Sequence, residues 1–209
     1  ITVHNCKDIA FVSGKKWHRH SKERLQAYRD AMEKAGLTVS ENRIFYGDYW
    51  YQSGEVYAEQ LLSQGETLPD AIACANDQMA IGICKAFNAH GIRVPEDVRV
   101  VGYDSTYEGQ TSPCSITSAL LPSEDFGEYA FDFLMQKMKG MIPDAFTLKP
   151  RLLLGESCGC HNSTMPEYRI RRKKWGTEIS EEGYDSVFNT MNETLVAQSS
   201  LIEYIGTVY

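Results

Sequence analysis

The stretch Pro69–Phe87, PDAIACANDQMAIGICKAF, decides how this chain folds. An apolar run, Asp70 to Ala75, stops at Asn76-Asp77, and a helical pattern with Ala80, Ile83, Cys84 and Phe87 on one face begins at once. A short apolar run followed directly by an amphipathic helix is one strand–helix unit of a parallel sheet. The same unit recurs on both sides. DIAFVS (Asp8 to Ser13) precedes a helix carrying Leu25, Tyr28, Met32 and Ala35 at helical spacing, with Ser21 as its expected N-cap and Gly36 as its stop. NRIFYGDY precedes a helix from Ser53 whose inner face is Tyr57, Ala58, Leu61 and Leu62. After Phe87 come DVRVVGYD as a fourth strand and SITSAL as a short fifth. A helix, SEDFGEYAFDFLMQKMKG, follows with Phe126, Tyr129, Ala130 and Phe133 expected inward, and FTLKPRLLLGES is an extended closing segment. The fold class is therefore α/β: a doubly wound, mostly parallel sheet with helices on both faces.

Composition narrows the function. With 209 residues and 43% hydrophobic content the chain can bury one domain core plus an appendage. A formal net charge of −7 argues against a general nucleic-acid or anionic-membrane surface. No apolar run approaches the roughly 18 residues that a membrane span needs, so no membrane partner is expected. Six scattered cysteines, with Cys74 and Cys84 among apolar neighbours, suit a reducing cytoplasm better than a disulfide framework. The chain opens on ITVHNCKDIAFVSG without an initiator Met or a secretory leader, and reads as a piece of a longer protein.

In open parallel sheets ligands bind beyond the carboxyl ends of the strands. Four strand ends here would present Arg24, Tyr49, Asn76 and Asp104 to one crevice. A guanidinium, a carboxylate and an amide can pair with hydroxyls while an aromatic face takes the apolar side of a ring, a set suited to a sugar or nucleoside-like effector. Each residue also has a plainer reading. Asn76 or Asp77 can simply cap the helix that follows, Asp104 can be a turn residue, Tyr49 part of an aromatic patch over the sheet edge, and Arg24 a solvated charge. Their coincidence at one edge favours a site.

The segments IAFVSG, RLQAYRDAMEKAGL, GDYWYQSGEVYAEQLL, AIACANDQMAIGICKAFNAHGIRVPEDVRVVGYD and GESCGC resemble the ligand-binding core of the lactose-repressor family, a type I periplasmic-binding-protein-like fold. The resemblance runs from Lys7 to about Cys158, and its most specific part joins A-N-D-x-M-A to G-I-R-V-P-E-D-V-x-V-V-G-Y-D. It implies that Arg24, Tyr49, Asn76 and Asp104 contact the effector and that the loop Lys15–His20 reaches the cleft, which adds His18 and His20. It also implies that this chain holds mainly the second of two lobes, with the first lobe and any DNA-binding domain lying before Ile1. SITSALLP departs from the more polar crossover usual in the family, so the effector chemistry can differ.

Three domains are expected: a sensor at 1–160, a linker at 161–181 and a coiled-coil-like helix at 182–209. The linker's basic run, Arg169, Arg171, Arg172, Lys173 and Lys174, reads as a solvated connector before a DNA contact. Beyond it Tyr184, Phe188, Met191, Leu195, Gln198, Ile202, Ile205 and Tyr209 alternate four and three apart, an a/d seam that implies a homodimer or, on the other reading, a helix folded back on the lobe. Cys158, Cys160 and His161 fit no closed zinc pattern along the sequence, so no metal is expected, and no cofactor either. The expected function is effector sensing by a cytoplasmic, non-enzymatic transcription regulator that meets DNA only through a domain outside this chain. The rival reading is the sensor of a hybrid signalling protein with a GGDEF-type cyclase, a kinase or an AraC-type DNA-binding module. A transport-binding protein should carry a secretion signal and no heptad tail. An α/β enzyme is disfavoured, since no Gly-rich phosphate loop, G-x-S-x-G elbow or metal-ligand cluster stands in the sequence.

Overall fold

The computed structural model describes residues 1–65, 67–120, 123–141 and 149–160, with the side chains of 123–125 left aside. The expected linker at 161–181 and helix at 182–209 lie outside the described residues. Elements follow in the order β1 (Ile9–Ser13), α1 (Arg19–Lys34), β2 (Ile44–Tyr46), α2 (Tyr51–Ser63), β3 (Ala71–Cys74), α3 (Asp77–Ala89) and β4 (Arg99–Tyr103). Then come α4 (Tyr107–Thr111), β5 (Thr117–Leu120), α5 (Ser123–Met138) and β6 (Arg151–Leu153).

One six-stranded sheet has the order β2-β1-β3-β4-β5-β6, parallel except for the last pair. From β1 the chain steps outward to β2, then returns past β1 to β3 and continues to β4 and β5. Right-handed crossovers therefore place α1 on one face and α2 and α3 on the other. Ala10, Val12, Ile72 and Val100, all 0% exposed, alternate with their neighbours along the central strands, and Met79, Ile83 and Phe87 of α3 are buried with them. On the α1 face Phe11 stacks on Tyr28 with ring centroids 5.1 Å apart. Glycine governs how closely α2 and α3 approach: a Cβ on Gly54 would collide with the Met79 carbonyl and one on Gly82 with the Tyr51 carbonyl.

Three expectations need correction. Helix α1 begins two residues before Ser21, at Arg19, with His18 as its cap residue, and Ser21 instead pairs its hydroxyl with Tyr49 Oη at 2.7 Å. Helix α2 begins at Tyr51 rather than Ser53, whose hydroxyl bonds Asp48. The apolar side of α5 is not inward: Phe126, Tyr129, Ala130 and Phe133 are exposed. Helix α4 was not anticipated, being a single turn too short to show a period.

A candidate effector cleft at the carboxyl edge of the sheet

The polar pair at the β3–α3 junction divides its work. Asn76 is the N-cap of α3: its Oδ1 accepts from Met79 N at 3.1 Å. Its Nδ2 donates to the Tyr49 carbonyl at 2.8 Å and to Gln78 Oε1 at 2.7 Å. Asp77 points the other way and is fully buried. Its carboxylate accepts from Thr106 N at 2.6 Å and from Ser118 Oγ at 2.7 Å, locking the start of α3 to the β4–α4 loop and to β5. Gly102 has no side chain because a Cβ there would collide with Asp77 Oδ1. Burial raises the Asp77 carboxyl to about 6 against the lowering effect of the Ser118 and Thr106 hydrogen bonds.

Arg24 reaches from α1 over the ends of β3 and β4. One terminal nitrogen donates to the Ala75 carbonyl, the other stands 3.3 Å from Asp104 Oδ1, and the guanidinium lies 3.8 Å above the Tyr103 ring. Burial raises the Asp104 carboxyl, and the neighbouring Arg24 charge pulls it back down. Tyr49 braces the opposite wall. Its ring lies where a Cβ on Gly14 would be, its hydroxyl holds Ser21, and the His18 ring meets it edge-on at 5.6 Å. His18 Nδ1 is buried and has no hydrogen-bond partner among the described residues. His20 pairs with Glu23 at 3.3 Å.

These residues line one open cleft of about 440 Å³, formed by His18, His20, Arg24, Tyr49, Trp50, Asn76, Gln78 and Asp104. All six side chains named from the sequence meet there. Trp50 and Gln78 were missed. Trp50 sits beside Tyr49 in the same aromatic run, and at 62% exposure it offers the more open face of the two. Gln78 stands two residues after Asn76, where the helical turn brings it back to the same rim.

Three of the four side-chain-bearing residues at positive φ among the described residues lie at this edge. Tyr49, Asp104 and Ser105 have φ of 76°, 98° and 50°, values that cost a side-chain-bearing residue about 1 to 3 kcal/mol each. Such conformations persist where the surroundings hold them, and here they turn Asp104 toward Arg24. The cavity thus offers a carboxylate, a guanidinium, two imidazoles and two amides around an exposed indole. This set matches alternating donors and acceptors on a ring with one apolar face.

The family of periplasmic binding protein-like domains matches residues 2–158. The chain belongs to this family. Among curated relatives, the HTH-type transcriptional repressor PurR of Proteus mirabilis (strain HI4320) is 34% identical over 149 residues, 70% of this chain and 43% of the relative. Among solved structures, the transcriptional regulator CelR in complex with cellobiose superposes with a TM-score of 0.66 at 33% identity, over 73% of this chain and 47% of that one. The lac repressor dimer bound to operator and the anti-inducer ONPF gives 0.69 at 25% identity, over 75% and 57%. The resemblance to lactose-repressor-type ligand-binding domains is thereby confirmed. The chain spans about half the length of the relatives it matches. As a periplasmic binding protein-like domain it carries its cleft where the fold leads one to look, at the carboxyl edge of the parallel strands.

Proposed function

We propose that this chain is the second lobe of an effector-sensing domain in a lactose-repressor-type transcriptional regulator, and that the cavity takes a polyhydroxylated, sugar-like molecule. The supporting observation is the convergence of Arg24 from α1 with Trp50, Asn76 and Asp104 from just beyond β2, β3 and β4 on one cleft of about 440 Å³. In this reading Asp104 and Arg24 bind hydroxyls, His18, His20 and Gln78 complete the polar contacts, and Tyr49 and Trp50 receive the apolar ring face. The first lobe closes the clamp, and the apolar side of α5, with Phe126 58% and Leu134 56% exposed, is a surface for it to cover. Closure tilts the lobes and passes to a cytoplasmic dimer, and DNA is met through a domain outside this chain. No catalytic step is assigned to it.

The a/d spacing of Tyr184 to Tyr209 supports a dimer-forming connector, the feature that a hybrid signalling protein would share. Sedimentation of Leu195→Glu against the parent tests it: a dimer constant weakened by the charge supports the connector, and identical sedimentation refutes it. The effector reading is tested by screening mono- and disaccharides and nucleosides against the full-length regulator by calorimetry. At least one saturable ligand, lost in Asp104→Ala, is expected. Binding that is unaffected by Asp104→Ala, Arg24→Ala and Trp50→Ala overturns the assignment.

A further inference from the structure

Beyond the effector cleft, three soft ligand atoms converge at the other end of the lobe. Cys158 and Cys160 flank Gly159, whose φ of 86° turns the chain in a left-handed loop, and His4 approaches from the segment before β1. Cys160 Sγ lies 3.3 Å from His4 Nε2, although the residues are 156 apart in sequence. The two sulfurs and the imidazole nitrogen all lie within 4.8 Å of one another, and among the described residues no other three His, Cys, Asp or Glu side chains do so. A tetrahedral zinc holds two thiolates about 3.8 Å apart, and a thiolate and an imidazole nitrogen about 3.5 Å apart. The three atoms are thus within about 1 Å of a binding arrangement.

We propose that His4, Cys158 and Cys160 bind one thiophilic divalent cation, Zn²⁺ by ligand type, with a fourth position open to water. Read along the sequence, Cys-x-Cys supplies only two ligands, and the third is visible only in the fold. The surroundings suit thiolate ligands. Thr117 Oγ1 stands 2.9 Å from Cys158 Sγ and 3.0 Å from the Gly155 carbonyl, so its single proton can turn to the sulfur once that sulfur is ionised. Arg99 borders the Gly159 turn, and its Nε has no hydrogen-bond partner among the described residues. On binding, the Cys158 and Cys160 thiols each release a proton as the sulfur–metal bonds form, while neutral His4 donates its Nε2 lone pair and nothing is oxidised. The ion would staple the segment leading into β1 to the turn that follows β6. Cys74 and Cys84 do not compete, because burial pushes both thiols up.

The test is anaerobic titration of the reduced, metal-free full-length protein with Co²⁺ and then Zn²⁺. One Co²⁺ per chain is expected, with a thiolate-to-cobalt charge-transfer band and the intense d–d absorption of a tetrahedral ion. One equivalent of Zn²⁺ should bleach both, and two protons should be released per ion. His4→Ala and the near-isosteric Cys160→Ser should each weaken Zn²⁺ binding more than roughly tenfold. Cys114→Ser should leave it unchanged, and all three should keep the parent's circular dichroism. Absence of the charge-transfer band, affinity unchanged in both His4→Ala and Cys160→Ser, or a Cys158–Cys160 disulfide as the sole product of exposure to metal and air would each overturn the site.

Discussion

Arg24 and Asp104 face each other 3.3 Å apart at the mouth of the candidate cleft, long for a charge-assisted pair, with Asp104 held at a φ of 98°. A relaxed surface ion pair would close to about 2.8 Å and would not need a strained backbone. A ligand hydroxyl lying beside the pair can reach both groups.

Asp104→Gly should therefore separate stability from function. Glycine tolerates the positive φ, and removing that strain is worth about 1 kcal/mol or more, while the partly exposed ion pair contributes less than that. The variant should unfold in urea at an equal or higher midpoint yet lose effector affinity by about 1 to 3 kcal/mol, roughly 5- to 150-fold. A variant that is clearly less stable and binds normally would place Asp104 in the scaffold.

Asn76 carries two duties that substitution can divide. Asn76→Ala removes the α3 cap and the hydrogen bond to the Tyr49 carbonyl, and should cost about 1 to 2 kcal/mol. Asn76→Ser keeps a capping oxygen and should recover about half of that loss. Neither variant holds Tyr49, whose φ of 76° depends on its surroundings, so effector binding should stay impaired in both. Equal stabilities for the Ala and Ser variants in denaturant titrations would contradict the cap.

Much of this architecture could be read from residue order, because each buried strand is a short apolar run and each helix shows its period. What escaped was set by distant partners. The Ser21 hydroxyl reads as a helix cap until Tyr49, 28 residues on, is seen to bind it. The period of α5 shows that the helix has an apolar side but not what covers it. At the site, Asn76 and Asp104 stood out at strand ends, whereas His18 and His20 entered only through the family resemblance. Asp77 looks like a twin of Asn76 in sequence. Only the fold shows it turned inward to Ser118, 41 residues away.

Gly54 and Gly82 set the spacing of α2 and α3. Alanine in an exposed helix interior normally gains about 1 kcal/mol over glycine. Here each added methyl meets the partner helix's backbone, which no rotamer change can relieve, and overpacking of that kind costs about 1 to 3 kcal/mol. Gly54→Ala and Gly82→Ala should each lower the urea midpoint. The double variant should cost less than the sum, since one separation of the helices relieves both collisions. A stabilised single variant would show the helices free to part.

Asp77 makes stability depend on pH in a direction opposite to that of an ordinary salt-bridged carboxylate. Its folded value, raised mainly by burial to about 6, lies above the value of 3.8 taken for the unfolded chain. Between these values the folded state holds a proton that the unfolded state has lost, so this contribution is full below about pH 4 and is lost as pH rises through about 6. At about 1.4 kcal/mol per unit the loss is about 3 kcal/mol at most. Asp48 and Asp70, lowered chiefly by hydrogen bonds from Ser53 and from Lys7 N–H, contribute in the opposite sense and mask it in the parent curve alone. Asp77→Asn keeps an acceptor for Thr106 N–H and removes the titration. The parent should gain stability relative to this variant as pH falls from 7 to 4, measured by urea unfolding at each pH. Parallel curves for the two proteins would show that Asp77 is ionised throughout, held so by Thr106 and Ser118.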